Sequence, residues 1–239
     1  VDAGLGITNL KAKLSALGVS LSQLSGVLVT HEHGDHIKTI GVLSEKYGIP
    51  IYASIPTMEL LRKKFGNQLT SEAVRVFQSG EEFYIKDLAV RPFKIPHDAA
   101  DPHGYSIFNG AKKVSCVTDL GYISNTVMEN VSDSNILLIE ANHDLDMLRH
   151  GPYSEWLKRR IMSRKGHLSN DDCACALIKL IEKNVRTVVL GHRSEENNSE
   201  ECIYRSIHSK LAEHGIQVGA DMRLELASQH KPTALYVSR

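Results

Sequence analysis

The segment from residue 26 to residue 36 limits the possible folds of this 239-residue chain more than any other. Residues 26–30, Gly-Val-Leu-Val-Thr, form a short apolar, β-branched run that predicts a buried β-strand. The next six residues are His31-Glu32-His33-Gly34-Asp35-His36, in which three imidazoles and Asp35 can bind metal. Because open α/β sheets bind ligands at the carboxyl ends of their strands, the segment predicts an α/β fold with a site at that edge.

The spacing within this motif is suited to metal ions. His31 and His33 are two residues apart, so an extended backbone directs both side chains to the same side and lets them share one ion. Gly34 allows the chain to turn, after which Asp35 and His36 can reach a second ion. Imidazole and carboxylate ligands together suit Zn²⁺, Mn²⁺ or Fe rather than Ca²⁺. A solvated polar loop is the simpler alternative, but the position after a hydrophobic strand disfavours it.

Three later residues stand in similar positions. His97 follows a further predicted strand, Asp119 ends the predicted strand 114–118, and His192 follows the predicted strand 187–190. Taken singly, each histidine is more often a structural residue than a ligand. Taken together with the first motif, the three residues favour metal binding.

Strands alternate with helical segments along the whole chain, with shorter strands between residues 74 and 116, so residues 1–239 are expected to form a single α/β domain. The first residues, Val1-Asp2-Ala3-Gly4, read like the end of a strand, which suggests that the first strands of the sheet precede this sequence.

Composition excludes some classes of partner. Lys plus Arg and Asp plus Glu balance at 28 each, which disfavours binding to nucleic acid or to an anionic membrane through overall charge. No apolar run approaches the length of a membrane span and no signal-peptide pattern is present, so no membrane partner is expected. The four cysteines show no regular spacing, which predicts reduced thiols in a cytoplasmic protein.

The metal-binding motif and the three later residues resemble the metallo-β-lactamase superfamily. The resemblance implies an αββα four-layer sandwich with two divalent metal ions, Zn or Mn and alternatively Fe, and a hydroxide that bridges them for attack on the substrate. It implies that the first ion is held by His31, His33 and His97, and the second by Asp35, His36 and His192. Asp119 would bridge the ions, and Asp2 would support the motif without binding metal.

Two further segments narrow the resemblance. Glu140 closes the predicted strand 136–139, and Gly166-His167-Leu168-Ser169-Asn170 begins the next helix. This arrangement is similar to that of the phosphodiesterases of this fold that process the 3′ ends of tRNA. By that resemblance, Asp35, Asp119, His167 and Glu140 are the catalytic residues, with His167 protonating the leaving oxygen and Glu140 orienting it.

Within the superfamily, the chain resembles the YycJ/WalJ family of bacterial metallo-hydrolases, which are similar to exonucleases. The segments that carry this resemblance are 97–99, 102–105, 143–144, 150–153, 157–158, 166–170 and 194–198. His103 and Arg193 depart from it, because an apolar residue is expected at each position; the metal ligands are unaffected, but substrate preference is placed in doubt.

One stretch of the chain is strongly basic. Five cations precede His167 within eight residues: Lys158, Arg159, Arg160, Arg164 and Lys165. Such a strip could position phosphates, and the nearby Trp156 could stack on a base. The alternatives are a solvated helix face and a tryptophan in the core.

The sequence therefore favours a dinuclear phosphodiesterase that acts on nucleic acid, most plausibly a DNA exonuclease. The alternative is a hydrolase of the same fold that acts on a small thioester, lactone or cyclic phosphate. A metal-bound regulatory module without enzyme activity is a third possibility. The sequence leaves the oligomeric state open.

Overall fold

The computed structural model describes residues 1–233 and divides the chain into two compact units. The first unit contains residues 1–94 and 99–105, and the second contains residues 95–98 and the chain from residue 106 onward. Within the described residues, no helix combines the length and the apolar character that crossing a membrane requires.

The first unit contains four helices and five complete strands among its described residues. The helices are α1 (Ile7–Ala16), α2 (Gly34–Ile37), α3 (Ile40–Tyr47) and α4 (Ile55–Phe65). The strands are β1 (Val27–Leu28), β2 (Ile51–Ser54), β3 (Val74–Phe77), β4 (Phe83–Ile85) and β5 (Leu88–Lys94). Strands β1, β2 and β3 form a parallel sheet in that order, and β4 pairs with β5 in antiparallel fashion.

The start of the chain is attached to the metal-binding motif by backbone hydrogen bonds. The Asp2 N–H donates to Leu28 O at 2.8 Å, and the Ala3 N–H donates to His36 O at 2.7 Å. The Thr39 N–H donates to Ala3 O at 3.1 Å, so it is diverted from a helical hydrogen bond. The helical region that follows the motif is therefore divided into α2 and α3.

The second unit is built on parallel strands. Strand β6 (His103–Asn109) passes from the first unit into the second, and it is followed by β7 (Lys112–Val117), β8 (Ile136–Glu140), β9 (Thr187–Gly191) and β10 (Arg223–Leu226). Strands β7, β8, β9 and β10 are parallel neighbours in that order. The helices are α5 (Asn125–Val131), α6 (Leu145–His150), α7 (Glu155–Ile161), α8 (Asn170–Ile181), α9 (Glu200–Ile203) and α10 (Ser209–Glu213), with a π-helical turn, Tyr204–His208, between the last two.

The register of these strands aligns their carboxyl ends. Val117 of β7 lies opposite Ile139 of β8, and Glu140 of β8 lies opposite Gly191 of β9. Leu137, Ile139 and Val188 lie on one face of the sheet and are fully buried, whereas Ile136 and Leu138 on the other face are partly buried. The residues that follow these strands therefore meet at one edge of the sheet.

Candidate metal centre

The motif that follows β1 forms a compact cluster in the first unit. His31 Nε2 lies 3.0 Å from His33 Nδ1, and the rings of His31 and His36 are 4.2 Å apart between centroids. His36 Nε2 lies 3.6 Å from Asp35 Oδ2. His31 and His36 are buried, whereas Asp35 is exposed. The four side chains that the sequence assigns to metal thus come together within this unit.

Asp2 fixes the orientation of two of these imidazoles. Its carboxylate accepts hydrogen bonds from the Thr30 hydroxyl at 2.9 Å and from His36 Nδ1 at 2.8 Å. Because the Thr30 hydroxyl donates to Asp2, it accepts from His31 Nδ1, which lies 2.9 Å away. Both Nδ1 atoms therefore carry a proton, and both Nε2 atoms retain the lone pair that a metal ligand needs.

In the second unit, Asp119 and His192 face each other just beyond the ends of β7 and β9. His192 Nε2 lies 3.4 Å from Asp119 Oδ1, and Asp119 is almost completely buried. Both residues have a left-handed backbone, with φ of 60° at Asp119 and 52° at His192. Residues other than glycine adopt such values uncommonly, and the strained ones cluster at active sites and ligand-binding segments.

Glu140, at the end of β8, connects two histidines. Its Oε1 accepts hydrogen bonds from His167 Nδ1 at 2.8 Å and from His192 Nδ1 at 2.7 Å. Its Oε2 accepts from the backbone N–H groups of Leu120 at 3.1 Å and Leu168 at 3.0 Å. Four donors thus surround one buried carboxylate, which leaves Nε2 of each histidine for a metal ion or a substrate.

The electrostatics follow from these contacts. Burial alone would raise the pKa of the Glu140 carboxyl, but His167 and His192 with their hydrogen bonds lower it, so Glu140 is ionised. Burial lowers the pKa of the His167 imidazole, but Glu140 and Asp119 outweigh burial and raise it. Burial lowers the pKa of the His97 imidazole more than Asp119 raises it, which favours the neutral form that binds metal.

His97 lies beside the same cluster. Its Nδ1 donates to Gly166 O at 3.1 Å, and its Nε2 lies 3.9 Å from Asp119 Oδ1. The next residue, Asp98, forms a two-point ion pair with Arg160 of α7, with distances of 2.5 Å to Nε and 3.0 Å to Nη2. Asp98 lies in the segment 97–99 that carries the family resemblance, but no role at the site was predicted for it.

Close backbone packing around Gly166 places His167. A Cβ atom on Gly166 would lie 2.1 Å from Ile161 O and 2.3 Å from Arg160 O. The chain can therefore fold back against the end of α7, where the His167 N–H donates to Ile161 O at 2.9 Å. A side chain at residue 166 would prevent this approach and displace the histidine that follows.

The donor set of the second unit fits a divalent metal ion. Asp119, Glu140, His167 and His192 offer ligand atoms that all lie within 4.8 Å of one another. With Nδ1 of His192 protonated, its Nε2 lone pair faces the Asp119 carboxylate, and two such acceptors repel unless a cation or a proton lies between them. Two ligands of a tetrahedral zinc ion are about 3.3 Å apart, since each lies about 2.0–2.1 Å from the metal, and the observed separation of 3.4 Å is close to this value.

Comparison with known proteins agrees with this reading. Residues 1–192 match the family described as Beta-lactamase superfamily domain. The chain is 36% identical over 235 residues to exodeoxyribonuclease YycJ of Bacillus anthracis, covering 98% of this chain and 89% of that protein. It is 35% identical over 236 residues to exodeoxyribonuclease WalJ of Streptococcus pneumoniae, covering 98% of this chain and 88% of that protein.

A solved structure extends the comparison to the fold. The metallo-β-lactamase fold protein YhfI of Bacillus subtilis aligns with a TM-score of 0.69 and 17% sequence identity, covering 95% of this chain and 82% of that one. The expected fold class is thereby confirmed.

Fold and donor set together define a metal-dependent hydrolase of the metallo-β-lactamase fold. By the extent of its similarity, the chain belongs to the metallo-β-lactamase superfamily and, within it, to the family of the YycJ and WalJ proteins.

Proposed function

We propose that this protein is a dinuclear phosphodiesterase that degrades DNA from an end. The observation that carries the proposal is the position of Glu140, which holds a candidate metal ligand, His192, and a candidate proton donor, His167, through the same oxygen atom. Hydrolysis of a phosphodiester needs both an activated water and a protonated leaving oxygen, and this arrangement prepares one histidine for each task. The exodeoxyribonuclease names of the two relatives support DNA as the substrate.

The proposed ligand set is the one that the family resemblance implies. One ion is assigned to His31, His33 and His97, and the other to Asp35, His36 and His192, with Asp119 between them. Bound divalent cations, Zn²⁺, Mn²⁺ or Fe²⁺, supply charge neutralisation at the phosphate and acidify water. Anomalous scattering at the metal absorption edges tests this set, and a single ion held by other residues would contradict it.

The protein side chains carry the remaining steps. Glu140 holds the Nδ1 proton of His167, so the proton on Nε2 is the one that His167 can transfer to the leaving oxygen as the P–O bond breaks. The ionised Glu140 stabilises the imidazolium before this transfer. Arg160, held by Asp98 beside His97, adds positive charge near the expected position of the phosphate.

The test is the incubation of single- and double-stranded DNA, labelled at the 5′ or the 3′ end, with Mn²⁺, with Zn²⁺ and with a chelator. We expect progressive shortening from one end with metal and none with chelator. If DNA remains intact while a thioester, lactone or cyclic phosphate is hydrolysed, the small-molecule alternative replaces this proposal.

A cytoplasmic location is a further part of the proposal.

A further inference from the structure

The chain contains one tryptophan, and the structure places it on the surface. Trp156 lies on α7 and is 73% exposed, so it does not belong to the core. The residues through which α7 packs are Lys158 and Ile161, both buried. Tryptophan is enriched at binding interfaces, because its ring buries a large apolar area and its N–H can still form a hydrogen bond.

Exposed cations follow Trp156 along the chain, and one of them contacts a second aromatic ring. Arg159 follows it by three residues on the same helix and is exposed, as are Arg164 and Lys165 beyond the helix end. The Arg164 guanidinium lies over the Tyr122 ring at 4.1 Å from its centroid. We call these five residues the α7 surface. Its cations and aromatic rings are complementary to phosphates and bases. The exposed Glu155 directly precedes Trp156, and its carboxylate pairs with the Lys158 ammonium group at 3.2 Å.

The basic strip expected from the sequence is altered at two of its five residues. Lys158 is buried, and its Nζ donates to Arg149 O at 2.8 Å and to Glu155 Oε1 at 3.2 Å. Lys158 therefore supports α7 from inside instead of contributing charge to the surface. Arg160 is engaged with Asp98, which leaves Arg159, Arg164 and Lys165 as the outward-facing cations of the strip.

The α7 surface adjoins the candidate active site within the second unit. Arg160 lies one helical turn from Trp156, and its partner Asp98 has Oδ1 at 3.5 Å from His97 Nε2. At the other end of the surface, Lys165 precedes His167 by two residues. The ring of His167 is 5.3 Å from the ring of His97. Both ends of the α7 surface are therefore linked to residues of the candidate site, at His97 through Asp98 and Arg160 and at His167 along the chain.

We propose that the α7 surface binds an unpaired, single-stranded segment of nucleic acid and that Trp156 stacks on one of its bases. The inference rests on the proposed function and specifies its substrate further. Stacking needs an exposed base face, which a strand offers only where it is unpaired. Arg159, Arg164 and Lys165 would bind the phosphates of the same segment.

The single tryptophan provides a direct measurement, because intrinsic tryptophan fluorescence reports on residue 156 alone. The full-length, metal-loaded protein is titrated with a short single-stranded oligodeoxynucleotide whose phosphorothioate linkages slow hydrolysis. An abasic strand of the same length and a blunt duplex serve as comparisons. We expect strong quenching by the strand with bases and little by the other two. Equal quenching by the abasic strand would overturn the proposal, since phosphates alone would then account for binding.

Substitution separates stacking from general binding. Trp156→Ala should weaken binding of a fluorescently labelled single strand by about 5- to 150-fold, the usual range for one stacked base. Trp156→Phe should retain most of the affinity. Tyr84→Ala, which removes another aromatic side chain that is 66% exposed, is the matched control and should leave the affinity unchanged. An affinity of Trp156→Ala within about twofold of the unsubstituted protein would overturn the proposal.

The outcomes also separate this inference from the proposed function. If DNA is degraded but Trp156→Ala binds and degrades single strands normally, only the α7 surface is wrong. If no DNA is degraded but a base-dependent quench remains, the surface stands and the nuclease proposal fails. Equal affinity for RNA and DNA strands would keep the surface and widen its ligand. Sedimentation that shows a dimer dispersed by Trp156→Ala, with no effect of oligonucleotide, would assign the surface to a second copy and overturn the proposal.

Discussion

Glu140 contacts two of the histidines at the candidate site. The sequence indicates that it orients His167, but the structure shows that the same oxygen atom also orients His192. Its other oxygen is held by two backbone N–H groups, so the carboxylate cannot rotate without losing partners. A carboxylate that binds the Nδ1 proton of an imidazole sets both its tautomer and the direction of its ring.

Glu140→Gln is therefore expected to reduce metal affinity as well as turnover. The side-chain NH2 group of glutamine is a donor, and it would replace one of the two carboxylate oxygens. It would then face two other donors, either the two histidine N–H groups or the two backbone N–H groups. We expect a metal affinity lower by about 10- to 100-fold and a free energy of unfolding lower by roughly 1–3 kcal/mol. Competition with a chromophoric chelator measures the first quantity, and urea unfolding measures the second. Glu213→Gln, at an exposed residue, is the control. Unchanged metal affinity would show that Glu140 does not support the ligands.

His167→Ala is expected to reduce turnover while metal content stays normal. If His167 protonates the leaving oxygen, kcat should fall by roughly 10²–10⁴ on DNA. The loss should be much smaller for a nitrophenyl phosphodiester, because its leaving group departs without a proton. Steady-state kinetics with both substrates and metal analysis of the variant make the comparison. Equal losses on the two substrates would identify His167 as a structural residue or a metal ligand.

At the scale of helices and strands, the sequence predicts which strands carry the site residues. It does not predict the backbone conformation at those residues or which side chains of α7 are buried. The apolar runs before Asp119, Glu140 and His192 are strands β7, β8 and β9, and parallel pairing explains why residues so far apart in sequence meet. The left-handed backbone at Asp119 and His192 could not be predicted, because neither residue type requires it. Trp156 and Lys158 show the same limit, since α7 has too few residues for its hydrophobic pattern to assign a buried face, and the structure exposes the indole and buries the ammonium group.

Gly166→Ala tests how the end of α7 positions His167. The added Cβ would meet two backbone carbonyls at 2.1 and 2.3 Å, and neither can move without disturbing α7. Such overpacking usually costs about 1–3 kcal/mol of unfolding free energy, and we expect kcat on DNA to fall because His167 moves. Gly6→Ala is the matched control, since a Cβ added at residue 6 would meet no atom within 4 Å. Urea unfolding and kinetics check both variants, and a Gly166→Ala protein with unaltered stability would contradict the packing argument.

For the molecule as a whole, the sequence predicts a single domain, and this stays a prediction. Its test is the unfolding transition of the intact chain, since one domain unfolds cooperatively. Bound metal also affects the whole chain, because a ligand that binds only the folded protein raises the free energy of unfolding.

Removal of metal is expected to lower the melting temperature. At a free metal concentration one hundred times Kd, binding adds about 2.7 kcal/mol to the free energy of unfolding. For a chain of this length, that corresponds to a Tm higher by roughly 5–10 °C. Differential scanning calorimetry with and without chelator measures the change, and Asp119→Ala should abolish most of it along with turnover. If chelator leaves the Tm of the unsubstituted protein unchanged, the protein does not bind metal tightly.

Acid should destabilise the chain even without metal, in part through His143. This histidine is buried, and its Nδ1 makes no hydrogen bond to any residue between 1 and 233, so burial lowers the pKa of its imidazole from 6.5 to about 4. Between these two pH values the unfolded chain binds a proton that the folded chain does not, so the stabilising contribution is complete above pH 6.5 and is lost as the pH falls towards about 4. At about 1.4 kcal/mol per pKa unit, the loss amounts to roughly 3 kcal/mol.

The variant His143→Gln tests this argument in the presence of chelator. The unfolding free energy should depend less steeply on pH in this window, because up to one proton fewer is taken up on unfolding. His214→Gln, which removes an exposed imidazole, is the matched control. If His143→Gln and the unsubstituted protein show the same slope, the imidazole of His143 is protonated alike in the folded and unfolded chain.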